Sequence, residues 1–162
     1  MHVFDASSMI YAWDNYPPDQ FPPLWDWMSD QVSSHQILIP KKAFEEISYK
    51  IADCASWLRA NDVEIVDVSG EILQEAFGIK QTLEIVNDNY HPSGVDENDI
   101  LIVATAKLKR VGLVTNEAVQ NSLPNVKAKY KIPAVCNLVS VNISSISFIQ
   151  FIRQSGVVFQ GQ

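Results

Sequence analysis

Four acidic positions stand where an apolar, strand-like run ends or where a helical pattern begins. They are Asp5, Glu46 with its neighbour Glu45, Asp99 and Glu117. If the fold brings these carboxylates together they repel one another, and the pKa of each rises unless a cation neutralises the group. Mg²⁺ or Mn²⁺ is the expected cation, because both prefer carboxylate and water oxygens and the sequence has no cysteine or histidine cluster for zinc. Such a site can hold two ions and drive the hydrolysis of a phosphodiester.

Each acid also has an ordinary structural interpretation. Asp5 could cap the helix that follows it, and Asp99 could be a first-turn acid favoured by the helix dipole, with Asp96 as the N-cap. Glu45 and Glu46 are adjacent, so they point about 100° apart on a helix and one of them is expected at the surface. The combination of acids is therefore more specific than any one of them.

The elements that must position these acids alternate between strands and helices. Short apolar runs predict strands, and apolar residues with a period near 3.6 predict helices. The predicted strands are His2–Phe4, Ile37–Ile39, Val63–Val68, Val111–Thr115 and, as a fifth candidate, Ile132–Val139, and the predicted helices lie near 24–34, 41–49, 52–60, 70–86, 97–110 and 144–154. This alternation predicts an α/β fold with a mostly parallel sheet, whose ligand site lies at the carboxyl ends of the strands.

Length and composition predict one domain over residues 1–162, because 47% of the residues are hydrophobic and two separate cores would each be small. The four prolines between Tyr16 and Pro23 predict a stiff, extended loop. No apolar run is long enough for a membrane helix, and the N-terminus has no basic segment typical of a secretory signal. Two widely separated cysteines form no disulfide framework. We therefore expect a reduced, cytoplasmic protein with no membrane association.

Charge is distributed unevenly along the chain. The net charge of −7 argues against a simple nucleic-acid binder. However, 7 of the 12 basic residues follow residue 106, where Glu117 is the only acid. This asymmetry indicates an anionic partner, although a solvated basic face explains it equally well. The candidates for contact with a phosphate backbone are Lys107, Lys109, Arg110, Lys127, Lys129 and Lys131.

Four segments carry a family resemblance: residues 3–10 around Asp5, residues 39–47 around Glu46, residues 99–106 and residues 113–117. Together they resemble the PIN domain, the metal-dependent nuclease fold of VapC-type toxin ribonucleases. The second motif places its acid directly before an aliphatic residue, which selects Glu46 over Glu45. In the fourth motif Asp is commoner than Glu. The Pro-rich segment and Trp57 resemble a less characterised PIN-like branch.

The resemblance implies a three-layer α/β/α sandwich that cleaves RNA with Mg²⁺ or Mn²⁺. It also implies a cognate antitoxin partner and a homodimer. Three acids would face the metal and the fourth would bind a second ion or act through water, while two hydroxyl groups would orient carboxylates or water. The implied metal-facing acids are Asp5, Glu46 and Asp99, the fourth acid is Glu117, and the hydroxyl residues are Ser7 and Thr115.

Two other classes of function remain open. A catalytically silent PIN-like module would bind or scaffold a partner, and an incomplete set of acids would indicate it, whereas this set looks complete. A phosphoryl-transfer domain of the haloacid-dehalogenase type needs Asp-x-Asp after the first strand, but Ser7 stands at the second position. A P-loop is excluded because the sequence has no Gly-x-x-x-x-Gly-Lys.

Overall fold

The structure is a computed structural model that describes residues 1–161. Within them, strands and helices alternate as the sequence predicts. The strands are β1 (His2–Phe4), β2 (Ile37–Pro40), β3 (Glu64–Val66), β4 (Gly112–Val114) and β5 (Ser145–Ile146). The helices are α1 (Ala6–Asn15), α2 (Pro22–Ser33), α3 (Lys41–Lys50), α4 (Ala52–Ala60), α5 (Gly70–Thr82), α6 (Glu97–Lys109), α7 (Ile132–Cys136) and α8 (Phe148–Ser155).

The sheet has the order β3-β2-β1-β4-β5, and every neighbouring pair is parallel. Helices flank it to form three α/β/α layers, so the predicted architecture is confirmed. β1 lies at the centre, between β2 and β4. The order reverses there, because the chain moves outward to β3 on one side and to β5 on the other. In open α/β sheets such a switch point is where ligands bind.

Helix α6 is the helix that the core surrounds. All seven residues from Ile100 to Ala106 are buried, and the helix packs on α5, α3 and α7 as well as on β1 and β4. A helix enclosed in this way has no polar face, which is why its sequence reads as a continuous apolar run. Among residues 1–161, no helix combines the length and apolarity needed to cross a membrane.

The prediction of a strand within Ile132–Val139 is wrong. This segment forms the short helix α7, and Pro133 lies in its first turn, where a missing N–H removes no helical hydrogen bond. The fifth strand is instead β5, only two residues long, at the start of the segment predicted as the last helix. Helix α8 begins after Ser147, whose side chain and that of Gln150 form a capping box.

The Pro-rich segment is only partly the extended loop that its composition predicts. Pro22 and Pro23 open α2 at its first two positions, so the helix starts earlier than expected. The loop before them is held by the indole N–H of Trp25, which donates to the carbonyl of Tyr16 at 2.6 Å. The buried Trp25 ring also packs edge-to-face on Trp13 and Trp57. These aromatic residues are core residues rather than a free stacking surface.

Gly94 provides a test of the packing in front of α6. A Cβ there would lie 1.9 Å from the carbonyl oxygen of Ala128. We therefore expect Gly94→Ala to lower the free energy of unfolding by about 1–3 kcal/mol, measured by urea denaturation. Gly78→Ala is the matched control, because Gly78 lies within α5 with no atom near its Cβ position; it should raise stability by up to about 1 kcal/mol. Equal effects of the two substitutions would contradict this packing.

Candidate functional site

The site is organised around Asp5 and Thr115, which follow adjacent strands. Phe4 of β1 is in register with Val114 of β4, so the next residues along each strand stand side by side at the carboxyl edge of the sheet. The amide of Asp5 donates to the carbonyl of Val114 at 2.9 Å, which continues the ladder to the site itself. The hydroxyl of Thr115 then reaches Oδ2 of Asp5 at 3.0 Å.

Two hydroxyl groups hold the buried Asp5 carboxylate. Ser7 donates to Oδ2 at 2.6 Å, alongside Thr115. Each hydroxyl in turn accepts from a backbone amide, Ser7 from Asn116 at 2.9 Å and Thr115 from Glu117 at 3.2 Å. Because each hydroxyl oxygen accepts a hydrogen bond from one of these amides, its O–H proton remains available to be donated to Asp5. Within residues 1–161 no hydrogen bond reaches Oδ1, the second oxygen of Asp5.

The capping interpretation of Asp5 does not describe its side chain. Asp5 stands at the N-cap position of α1 with an extended backbone, but its carboxylate makes no capping hydrogen bond. The carboxylate instead points to the hydroxyl groups of Ser7 and Thr115. Burial of a carboxylate costs free energy. Because helix capping does not offset that cost for Asp5, another interaction of the carboxylate must do so.

Asp99 combines a structural contact with a place in the site. It forms a capping box with Asp96, in which each side chain accepts from the other's backbone amide at 2.9 Å. The first-turn interpretation is therefore realised through one oxygen, Oδ2. Asp99 is half-buried, and its second oxygen accepts no hydrogen bond from the described residues.

Glu46 faces the site from α3 and is paired with Lys50. The ammonium of Lys50 donates to Oε1 of Glu46 at 2.6 Å, one helical turn away. Glu45 pairs instead with Lys42 at 3.4 Å. The charge of Glu46 raises the pKa of Asp5. The two neighbouring glutamates thus differ, because they pair with different lysines and only Glu46 acts on Asp5. Lys50 is a residue that the sequence analysis missed, although the Glu46–Lys50 spacing of four is a recognisable helical pair.

Glu117 is held by the start of α7. Its Oε2 accepts from the amide of Ile132 at 2.9 Å. The half-buried side chain remains close enough for its charge to act on both Asp5 and Asp99. Glu117 therefore ties the loop after β4 to α7 and contributes negative charge to the site.

The acids affect one another's pKa values. Burial raises the pKa of Asp5 to about 6, and the charges of Glu117 and Glu46 raise it too, against the two hydroxyl hydrogen bonds that lower it. The pKa of Asp99 is raised to about 8, chiefly by burial and also by the charges of Asp96, Glu117 and Asp5, against the backbone hydrogen bond with Asp96, which lowers it. In the absence of a cation, the site therefore disfavours the ionised forms of Asp5 and Asp99.

The donor chemistry of the site fits a hard divalent cation. The facing groups are carboxylates, and Asp5 and Asp99 each have an oxygen that takes no hydrogen bond from residues 1–161. No three Asp, Glu, His or Cys side chains in that range are already arranged around one point as a complete metal site. Mg²⁺ is commonly held by one or two carboxylates with water at its other positions, so Asp5 and Asp99 would be enough to hold it.

The predicted phosphate-binding residues fall into two groups. Lys127, Lys129 and Lys131 belong to a segment that adjoins the site, because the carbonyl of Tyr130 accepts from Val95 just before α6 at 2.9 Å. By contrast, Lys107, Lys109 and Arg110 lie at the opposite end of α6 from Asp99, about 12 Å or more along the axis.

The ammonium of Lys107 is moreover paired with Glu75 at 2.6 Å. The structure does not bring this second group to the acids.

A large cavity lies away from these acids. Its volume is about 970 Å³, and it opens between the loop before α2 and the C-terminal helix α8. Its wall includes Tyr16, Phe21, Leu24, Ile149 and Ile152, and none of the six candidate site residues lines it.

Residues 2–159 match the family described as "Domain of unknown function (DUF4411)". The chain belongs to the DUF4411 family. The matched region contains every candidate site residue of this DUF4411 chain, from Asp5 to Glu117. No curated protein matches its sequence.

A solved structure shows the fold that this DUF4411 chain shares. A chain in the crystal structure of VapBC2 from Rickettsia felis bound to a DNA fragment from their promoter superposes with a TM-score of 0.55 at 18% identity, covering 90% of this chain and 97% of that chain. A chain of a toxin–antitoxin complex from Klebsiella pneumoniae gives a TM-score of 0.47 at 17% identity, over 72% of this chain and 87% of that one. The first superposition confirms the expected PIN-like fold.

The raised pKa values predict how stability depends on pH. The folded protein binds protons on Asp5 and Asp99 more tightly than the unfolded chain does. The contribution of these two acids to the free energy of unfolding is therefore fully present below about pH 4 and is lost as pH rises through about 6 and 8. In EDTA, the Tm of Asp99→Asn should exceed that of the wild type by a few degrees at pH 8.5 and by less at pH 6. Parallel Tm curves of the two proteins between these pH values would contradict the burial of a charged Asp99.

Proposed function

We propose that the chain is a ribonuclease that hydrolyses RNA phosphodiester bonds with Mg²⁺ or Mn²⁺. The observation that carries this proposal is the buried carboxylate of Asp5, which is fixed by two hydroxyl groups and whose pKa is raised by the charges of Glu46 and Glu117. Asp99 belongs to the same group of acids, because the charges of Asp5 and Glu117 raise its pKa. An arrangement that raises the pKa of two acids and leaves them without sufficient positive charge is unfavourable for folding alone. It is favourable when a divalent cation binds.

Each residue has a separate part in the proposed reaction. Asp5 and Asp99 would hold the ion through their free oxygens, while Ser7 and Thr115 keep the Asp5 carboxylate in one orientation. Glu46 and Glu117 would contribute charge and bind water in the ion's outer shell. The bound ion would lower the pKa of the attacking water and offset the charge that develops on the phosphate.

The RNA backbone would be attracted by the lysines beside the acids. Of the six basic residues expected from the sequence to contact phosphate, Lys127, Lys129 and Lys131 lie on the segment adjoining the site and are partly exposed. Such contacts give affinity that depends on salt and not on base sequence. They support RNA binding without specifying which RNA is cut.

The same proposal assigns the chain to a toxin–antitoxin pair. Its support is the fold shared with a chain of the VapBC2 structure from Rickettsia felis, at an identity of 18%. In this role a cognate antitoxin protein would restrain the nuclease, and the nuclease would act as a homodimer in the cytoplasm.

A second candidate function is a catalytically silent module that binds a partner. The observations that favour it are the engagement of two of the acids, Glu46 by Lys50 and Glu117 by the amide of Ile132, and the lack of a complete metal site within residues 1–161. A binding module would bind no divalent cation at Asp5, which distinguishes it from the nuclease.

The two glutamates of α3 provide a matched pair of variants that test the nuclease. Glu46→Gln and Asp99→Asn should each reduce cleavage of labelled single-stranded RNA in Mn²⁺ by at least about 100-fold, because Asp99→Asn removes a proposed ligand of the ion and Glu46→Gln removes a charge that acts on Asp5. Glu45→Gln removes the same charge one residue away, from the glutamate paired with Lys42; it should cut at close to the wild-type rate. EDTA should abolish all cleavage.

Circular dichroism and Tm would establish that the variants are folded. Cleavage that persists in Asp99→Asn or in EDTA would rule out the proposed site, and equal losses in Glu45→Gln and Glu46→Gln would rule out the assignment of Glu46.

A further inference from the structure

Lys50 is the basic residue that forms an ion pair with one of the four candidate acids within residues 1–161. Its ammonium lies 2.6 Å from Oε1 of Glu46. The hydrogen bond to Glu46 raises the pKa of Lys50, and the charges of Glu46 and Asp5 also raise it. The charge of Asp5 thus acts on the Lys50 ammonium in addition to that of Glu46. Lys50 is therefore paired with the acid on α3, and the charge of the acid at the end of β1 also acts on it.

The other ion pairs of the described chain lie outside this site. Lys41 pairs with Asp67, Lys42 with Glu45 and Lys107 with Glu75. Among the ion pairs found in residues 1–161, the Lys50–Glu46 pair is the one that engages any of the four candidate acids. A pairing confined to the acid that faces Asp5 suggests a role in the chemistry of the site.

We propose that Lys50 is an internal counter-ion that occupies Glu46 while no divalent cation is bound, and that it then transfers to a phosphate group of the RNA. This inference rests on the proposed nuclease function and adds a substrate-binding residue to it. It also predicts that the cation and the RNA assist each other's binding.

The exchange follows from competition for one carboxylate. The ammonium of Lys50 and a water molecule bound to the divalent cation would both donate to Oε1 of Glu46, and the ammonium and the cation repel each other at short range. The pair is also easily exchanged, because 53% of the Lys50 side chain and 40% of the Glu46 side chain are exposed, and such pairs contribute little net free energy. Displacement of Lys50 is therefore a small cost of cation binding.

The released ammonium stays within reach of the site. Lys50 is one helical turn from Glu46, and its flexible four-carbon stem carries three donors that suit a phosphate. A phosphate bound at the acids then gives Lys50 a new partner and removes its competition for Glu46. By linkage, RNA must strengthen cation binding by the same factor as the cation strengthens RNA binding.

Three variants test this exchange. Lys50→Met removes the ammonium and keeps most of the stem, and Lys50→Arg restores a positive charge. Lys42→Met is the matched control, because it removes a lysine from the same helix that is paired with the other glutamate at 3.4 Å. The first measurement is Mn²⁺ affinity without RNA, from the electron paramagnetic resonance signal of free Mn²⁺. The second is KM and kcat for labelled single-stranded RNA in saturating Mn²⁺.

We expect Lys50→Met to bind Mn²⁺ about two- to fivefold more tightly than the wild type, since a competitor is lost. Its KM for RNA should rise by about tenfold, with a smaller change in kcat, because a charge-assisted contact to phosphate is lost. Lys50→Arg should recover most of the KM, and Lys42→Met should leave both quantities within about twofold of the wild type. A merely structural role for Lys50 would not tighten Mn²⁺ binding.

The failures are distinguishable. If the wild type binds Mn²⁺ and cuts RNA but Lys50→Met binds Mn²⁺ equally or more weakly, the exchange is overturned and the nuclease stands. If Lys42→Met bound Mn²⁺ as much more tightly as Lys50→Met does, the gain in affinity would be an effect of general surface charge, and the exchange would also be overturned. A wild type that neither binds Mn²⁺ nor cuts RNA would overturn both proposals.

Discussion

The rest of the site depends on one constraint, the burial of the Asp5 carboxylate at the carboxyl end of the central strand. Burial disfavours the charged form, and two hydroxyl groups offset only part of that cost, since the pKa of Asp5 still rises to about 6. The sheet register places Thr115 beside Asp5, the first turn of α1 supplies Ser7, and the loop after β4 fixes both hydroxyls through its amides. The charges of the neighbouring acids Glu46 and Glu117 also raise the pKa of Asp5. This is an arrangement that a cation stabilises.

The fold and much of this site could be predicted from the sequence, because the informative residues follow local rules. Asp5 stands directly after an apolar strand run and Thr115 at the end of another, and the Asp96–Asp99 spacing is that of a capping box. The failures have physical causes. A short apolar run such as Ile132–Cys136 fits a buried strand or a buried helix equally well, and β5 is too short to leave a periodic pattern. The prolines at 22 and 23 fit the first turn of a helix as readily as a loop.

Charge positions were predictable only where partners are close in sequence. The pairing of Glu46 with Lys50 can be read from helical spacing, whereas the pairing of Lys107 with Glu75 joins residues 32 positions apart on different helices. The apparent basic cluster of the C-terminal third therefore divides, with one part at the far end of α6 and the other beside the acids. The folded chain thus presents a smaller basic surface near the site than the sequence alone indicates, and Lys50 adds to it from the acidic part of the chain.

The most direct test of the account is a crystal structure of the protein grown with MnCl₂, with anomalous diffraction used to locate manganese. The account predicts an anomalous peak at the carboxyl edge of β1, about 2.0–2.3 Å from a carboxylate oxygen of Asp5 and from one of Asp99, with water at the remaining positions. Manganese bound only at other surface acids, or none at Asp5 in crystals grown above pH 8, would contradict a cation site there and would favour a binding module.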